Sequence, residues 1–365
     1  MDKTEIFRIY GKDYKANTIE LLERVGLSEM IDKDARIGIK PNLVDAVPAC
    51  MGSTTHPEIV EGLIEYLQAS GHRDITIMEG SWVGGNTLES YDVCGFDLIK
   101  DKYGVKLVDT QKSPSHPVDC SGTVLNICDC VDDIDFLINI PVIKGHAQTH
   151  ITCALKNMKG LIPNSEKRRF HSLGLHDPIA RLCTGIKQDF ILIDHICGDL
   201  EFEDGGNPTQ TDCILAALDP VLVDAYVCQL LGYEIEEVPY VKLAGELGVG
   251  CLDVSQIKMI TIGEVPAGVE DLYKSGRLVG IADNVNEVEG CSACYAAVLP
   301  ALERLREEGL LDRLDEKISL GQFYKNKTGK LGVGTCTRLF DVSVPGCPPK
   351  SEDIYIHLRK YLLEK

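Results

Sequence analysis

Apolar residues in the first two-thirds of the chain follow two alternating patterns. Short, nearly continuous apolar runs read as strands: RIGIK (36–40), DITIMEG (74–80), VKLVDT (105–110), DFLINIPVIKG (135–145), DFILIDHIC (189–197), CILAALDP (213–220) and IKMITIG (257–263). Between them lie segments with helical spacing, of which HPEIVEGLIEYLQASG (56–71) is the clearest, closing on a glycine. Continuous apolar strands separated by helices predict an α/β fold, with a mostly parallel sheet covered by helices in one or two subdomains. Ligands in such folds gather at the carboxyl ends of the strands. The chain sets Lys40-Pro41-Asn42, Glu79-Gly80-Ser81, Lys144-Gly145-His146 and Asp194-His195 at those ends.

Past about residue 265 the texture changes. A polar stretch, DLYKSGRLVGIADNVNEVEG (271–290), leads to a helix with CSAC at its mouth, then ISLGQF, GTCTRLFDVSVPGCPP (334–349) and a closing helix. The division expected is an α/β domain over 1–270 and a small cysteine-rich α/β module over 271–365.

Composition narrows the function classes. No apolar run reaches the length of a membrane span, and the charged opening MDKTEIFRIYGKDY is not the pattern of a signal peptide, so a cytoplasmic protein is expected. A formal charge of −19 argues against nucleic acid and anionic membranes as partners. Fifteen cysteines in a chain of this type point to metal ligation or redox chemistry rather than to disulfides. Cys153, Cys197, Cys213 and Cys228, set among apolar residues, read as small hydrophobes.

Four other cysteines stand in loops. Cys291 and Cys294 form C-x2-C before a helix, and Cys336 and Cys347 lie among glycines and prolines, giving C-x2-C-x41-C-x10-C. Four thiolates in such loops suit a [4Fe–4S] cluster or a tetrahedral zinc, and unligated thiols remain a third reading. The loops GTC and VPGCPP resemble cluster-binding elements of nickel–iron hydrogenase small subunits and of the related respiratory complex I subunit. That resemblance, over about 60 residues, favours an iron–sulfur cluster.

The second feature is a basic island. Residues 144–176 hold four Lys, two Arg and four His against one acid, Glu166. A positive concavity in an acidic protein concentrates anions. KGHAQTH follows a strand and opens a predicted helix, ITCALKNMKGL, in which Thr149 and Thr152 offer hydroxyls and Lys156 and Lys159 share a face at i, i+3. Lys144, His146 and His150 are the candidates for chemistry; Lys40, Asn42, Thr149, Thr152, Lys156, Asn157 and Lys159 are the candidates for holding an anionic ligand, a flavin nucleotide among them. KRRFH (167–171) reads as a solvated basic face, and Asp194, Glu201, Glu203 and Asp204 read either as a solvated acidic loop or as acid/base partners or cation ligands that face the basic island across the sheet edge. SWVGGN (81–86) lacks the dinucleotide fingerprint.

GIKPNLV (38–44), KGHAQTHITCALKNMKG (144–160), LIDHICGDLEFEDGGNPT (192–209) and ALDPVLVDAYVCQLLG (217–232) resemble domain of unknown function 362, the iron–sulfur centre proteins of bacteria and archaea, over residues 35–265. Many relatives carry two C-x2-C-x2-C runs; this chain has none and carries the C-terminal quartet instead, which favours one cluster over a two-cluster relay. The resulting expectation is an iron–sulfur oxidoreductase or electron-transfer protein of anaerobic metabolism. It would take an anionic, carboxylate or phosphate-bearing substrate, meet a ferredoxin-type electron partner and form a homodimer. The alternative is a non-redox enzyme or binding protein with a structural cluster or zinc.

Overall fold

The computed structural model describes every residue except 147, 201–202, 204–207, 270–280, 291 and 365. The chain divides into two compact units, Met1–Lys274 and Ser275–Lys365.

In chain order the first unit holds β1 (Glu5–Tyr10), α1 (Tyr14–Val25), β2 (Ile37–Pro41), α2 (Pro57–Ala69), β3 (Ile75–Glu79), α3 (Thr87–Val93), α4 (Phe96–Tyr103) and β4 (Lys106–Asp109). A hairpin of β5 (Ser115–Cys120) and β6 (Thr123–Cys128) follows, then β7 (Phe136–Ile140), a small hairpin of β8 (Lys144–His146) and β9 (His150–Thr152), and α5 (Ala154–Asn157). Next come α6 (Asn164–Leu173), α7 (His176–Gly185), β10 (Phe190–Gly198), β11 (Thr209–Ala217), α8 (Pro220–Leu230), α9 (Pro239–Glu246) and β12 (Lys258–Ile262).

Eight of these strands make one sheet in the order β12-β1-β11-β10-β7-β2-β3-β4. Every neighbouring pair is parallel except those made by β11, which runs antiparallel to both β1 and β10. The mostly parallel α/β sheet read from the apolar runs is therefore present. Strand β11 departs from the pattern because only ten residues, 199–208, separate it from β10, fewer than a helical crossover needs.

Successive residues of β10 feed opposite faces: Ile191 and Ile193 join one apolar layer with α7, α8 and α9, and Phe190 and Leu192 join another with α1 and α2. Burial on both faces is why these strands read as unbroken apolar runs. Strand β1 and the β5–β6 hairpin were not anticipated; EIFRIY is short and half polar, and SHPVDC carries a proline.

The helix expected over ITCALKNMKGL is the main local correction. His150–Thr152 pair back onto Lys144–His146 as β9, α5 is four residues long, and Met158–Leu161 continue as a 3-10 turn. The hairpin sequesters backbone groups that a helix starting at Ile151 would leave unpaired.

The second unit contains β13 (Val285–Glu287), α10 (Ser292–Glu307), β14 (Ile318–Leu320), β15 (Leu331–Val333), β16 (Val342–Val344) and α11 (Ser351–Leu363). Its four strands form a parallel sheet in sequential order. No helix among the described residues is long and apolar enough to cross a membrane.

Candidate functional site

The carboxyl ends of β2 and β3 are built around a buried ion pair. Lys40 Nζ lies 2.8 Å from Glu79 Oε2 and donates to the Pro41 carbonyl at 2.6 Å. Glu79 also accepts the Leu43 N–H at 2.8 Å and the Gly80 N–H at 2.7 Å. Gly160 packs against this pair: a Cβ there would sit 2.1 Å from Glu79 Oε1 and 2.3 Å from Lys40 Cε, which explains the glycine that follows Lys159.

Asn157 ties α5 to the sheet. Its Nδ2 donates to Asn139 Oδ1 at 2.7 Å and to the carbonyls of Lys40 and Pro41, and its Oδ1 accepts from Asn42 Nδ2 at 3.0 Å. From the opposite side, Asp224 of α8 accepts the N–H groups of Ala154 and Leu155 at 2.7 and 3.1 Å and so caps α5. Burial pushes the Asp224 carboxyl up to about 7.

Three cationic or imidazole groups meet at Glu203. His146 Nε2 is 2.7 Å and Lys156 Nζ 2.5 Å from its carboxylate, while Lys144 Nζ donates to its backbone carbonyl at 2.9 Å. The Gln148 and Thr149 N–H groups both point at His146 Nδ1, at 3.0 and 3.1 Å, so the ring proton lies on Nε2 and is donated to Glu203. Burial pushes His146 down to about 4 and keeps it neutral. Burial alone would raise the Glu203 carboxyl, but His146, Lys156 and Lys144 hold it well below the usual range.

Lys167 of α6 is buried and donates to the carbonyls of Gly80 and Ser81 at 2.8 and 2.9 Å; burial lowers it to about 8. Beyond those carbonyls, Trp82 folds over Gly84 and Gly85, where a Cβ on Gly84 would collide with the indole at 2.1 Å. Half-buried Lys159 differs from its neighbours: among the described residues it makes no hydrogen bond or ion pair. Burial, then the charge of Lys156, lowers it to about 7.

The residues singled out in the sequence thus separate. Lys144, His146, Lys156 and Lys159 come together, and Lys40, Asn42 and Asn157 lie beneath them as a bonded floor. Thr152 Oγ1 accepts from Lys156 at 3.2 Å, and the buried Thr149 hydroxyl donates to the Ile151 carbonyl. His150 lies opposite His146 in the hairpin, yet its ring packs on Tyr233 at 4.9 Å between centroids. The basic island is largely an interior group and not an open positive face, because carbonyls and carboxylates compensate the ammonium groups of Lys144, Lys156 and Lys167.

Glu79, Lys167 and Asp224 are the site residues that sequence reasoning undervalued. The spacing of Lys167 and Phe170, both buried on α6, carried a signal that Lys167 faces inward. Of the acidic cluster, Glu203 faces the basic island and is drawn in by the two bases it bonds, and Asp194 is buried on β10, where it accepts the His56 N–H at 2.7 Å, and is not part of a solvated loop; Glu201 and Asp204 lie outside the described residues.

In the second unit Cys291 lies outside the described residues. The other three cysteines lie on neighbouring segments, Cys294 in the first turn of α10 and Cys336 and Cys347 among the turns that follow β15 and β16. Gly334 and Thr335 N–H groups donate to the Val344 and Gly346 carbonyls, both at 2.8 Å, tying the Cys336 loop to the Cys347 loop. The Cys294 sulfur lies 3.7 Å from where a Gly334 Cβ would stand. Four thiols would be the donor set of a cluster, but among the described residues no three His, Cys, Asp or Glu side chains are gathered closely enough to hold a metal ion.

Fold and site together define an α/β protein with a lysine-rich group at the carboxyl end of its main sheet. The chain belongs to the family described as domain of unknown function (DUF362), whose model matches residues 37–229 and so includes every group from Lys40 to Asp224. It is 22% identical over 239 residues to a thylakoid-associated protein of Synechocystis sp., covering 62% of this chain and 73% of that one. Among solved structures it is similar to a lactate racemase apoprotein from Thermoanaerobacterium thermosaccharolyticum (TM-score 0.41, 14% identity, 64% of this chain and 57% of that one). A protein from Thermotoga maritima is similar at TM-score 0.38 and 13% identity, over 68% and 60% of the two chains. The chain thus spans less than two thirds of either solved protein.

Proposed function

We propose that this chain is an iron–sulfur oxidoreductase whose first unit binds a small anion, a carboxylate or a phosphate group, over Lys156, Lys159 and Lys167. Lys159 carries this reading: it is a half-buried amino group with no hydrogen bond or ion pair among the described residues, in a group where every other lysine has a partner there. Such a group is costly unless a ligand supplies the missing charge. The same donors suit the phosphate of a nucleotide cofactor. Cys291, Cys294, Cys336 and Cys347 would hold one [4Fe–4S] cluster, which supplies one-electron chemistry. The adjacency of the Cys336 and Cys347 loops to the first turn of α10, which carries Cys294, supports this assignment.

The test uses protein purified without oxygen. Calorimetric titration with lactate and with phosphate is expected to show binding that Lys159→Met weakens about tenfold, the usual scale of one charge-assisted contact. Metal analysis should find iron and acid-labile sulfide in equal amounts, near one cluster per chain. Zinc without sulfide would instead favour a non-redox protein with a structural staple. The four three-residue strands of the second unit, a small framework to stand alone, speak for that second reading.

A further inference from the structure

Two thiols outside both the lysine group and the cysteine quartet lie on segments that run side by side. The 3-10 turn Ala49–Met51, between β2 and α2, packs on the carboxyl end of β10. Just past it, the Gly52 carbonyl accepts the Asp199 N–H at 2.9 Å. A Cβ on Gly52 would stand 2.5 Å from that nitrogen, so the two segments approach as closely as only a glycine allows. Cys50 and Cys197 each come two residues before this bonded pair. The Cys197 thiol accordingly donates to the Cys50 carbonyl at 3.4 Å and to the Ala49 carbonyl at 3.6 Å. Segments joined by backbone hydrogen bonds run roughly 4.7–4.9 Å apart, within the roughly 4.4–6.8 Å between Cα atoms that a disulfide spans. The two thiols differ in access. Cys50 is exposed and Cys197 is buried. Burial, with Asp194, Asp199 and Asp212 nearby, pushes the Cys197 thiol up to about 12, so Cys50 is the one an oxidant in solution meets first.

We propose that Cys50 and Cys197 are a peroxide-responsive pair that closes a reversible disulfide between the β2–α2 loop and β10. The Cys50 sulfur attacks one oxygen of the peroxide and the O–O bond breaks. The other oxygen takes the Cys50 proton and leaves as water, and Cys50 becomes a sulfenic acid. The Cys197 sulfur then displaces the sulfenic hydroxyl and forms the S–S bond, while that hydroxyl takes the Cys197 proton and leaves as a second water. Two electrons have passed from the sulfurs to the peroxide, and a thiol reductant returns them. The tethered loop is the one that serves the lysine group. Ser53, three residues past Cys50, gives its carbonyl to Lys144 at 2.7 Å, and the Thr55 hydroxyl accepts the Asn42 N–H at 2.7 Å.

The experiment treats full-length protein, purified without oxygen, with hydrogen peroxide. Remaining thiols are alkylated and the unreduced digest is mapped by peptide mass spectrometry. The expected product joins the Cys50 peptide to the Cys197 peptide and is undone by dithiothreitol. Cys197→Ala, checked for folding by circular dichroism, should lose that product and carry Cys50 on to sulfinic acid. Cys50→Ser, at an exposed position, should leave Cys197 reduced. Cys50 carried to sulfinic acid in the parent protein, with Cys197 still reduced, overturns the pair. So does a link from Cys50 to another cysteine, such as Cys94, whose thiol donates to the Val47 carbonyl of the same loop at 3.2 Å. Both thiols surviving peroxide unchanged overturns it as well.

Discussion

At the residue scale the Lys40–Glu79 pair shows what burial does to a charge. Both side chains are almost fully enclosed, and Glu79 accepts two backbone N–H groups besides the ammonium. Removing one partner leaves the other as a buried, unpaired charge, so Lys40→Met is expected to cost about 3–5 kcal/mol in urea unfolding. Pairing it with Glu79→Gln should recover most of that loss. A double variant no more stable than the single one would mean that the packing of the lysine stem matters more than its charge. Residue types at this site were legible because charged residues directly after apolar strands stand out. Their partners were not, since Lys40 meets Glu79 across 39 positions and Asn157 across 117, separations that only folding closes.

At the element scale, α5 is too short to be stable by itself and is held at one end by Asn157 and at the other by Asp224. Asp224 is a positioning residue, out of contact with the lysine group yet fixing the turn that carries Lys156 and Lys159. Asp224→Ala should cost about 1–3 kcal/mol for two orphaned N–H groups. It should also weaken phosphate binding in calorimetry. Loss of stability with unchanged phosphate affinity would show that α5 keeps its place without its cap. The apolar runs made most strands readable, whereas this segment was misread as one helix. Its period fits a helix, but the His150–Thr152 backbone finds partners in Lys144–His146, an outcome set by tertiary pairing and not by local pattern.

At the scale of the whole molecule the buried titratable groups set a pH dependence. Burial lowers His146 and His195 to about 4 against an ordinary 6.5. Between those values the unfolded chain binds protons that the folded one refuses, so stability is lost as pH falls from about 6.5 through about 4. Asp224 acts in the opposite sense: raised to about 7 from 3.8, it stabilises most in acid, and that contribution fades as pH climbs toward 7. Two groups outweigh one, and unfolding free energy should drop by roughly 2 kcal/mol from pH 7 to pH 4.5. Asp224→Asn, which removes the opposing group, should make the drop steeper. A flat profile in the parent protein would mean that the histidines are protonated in the folded state.

The turn that Lys167 grips has an optical consequence. Trp82 is the chain's sole tryptophan, 41% exposed, and directly follows the two carbonyls that receive the Lys167 ammonium. Its backbone carbonyl is held in turn by Gln111 at 3.0 Å. Any ligand that draws the ammonium away loosens the peptide group that leads into Trp82, so the protein contains its own fluorescent gauge of occupancy. Adding phosphate should shift the emission of the unlabelled protein, and Lys167→Met should abolish the shift. Emission that ignores phosphate while calorimetry registers it would place the bound anion away from Lys167.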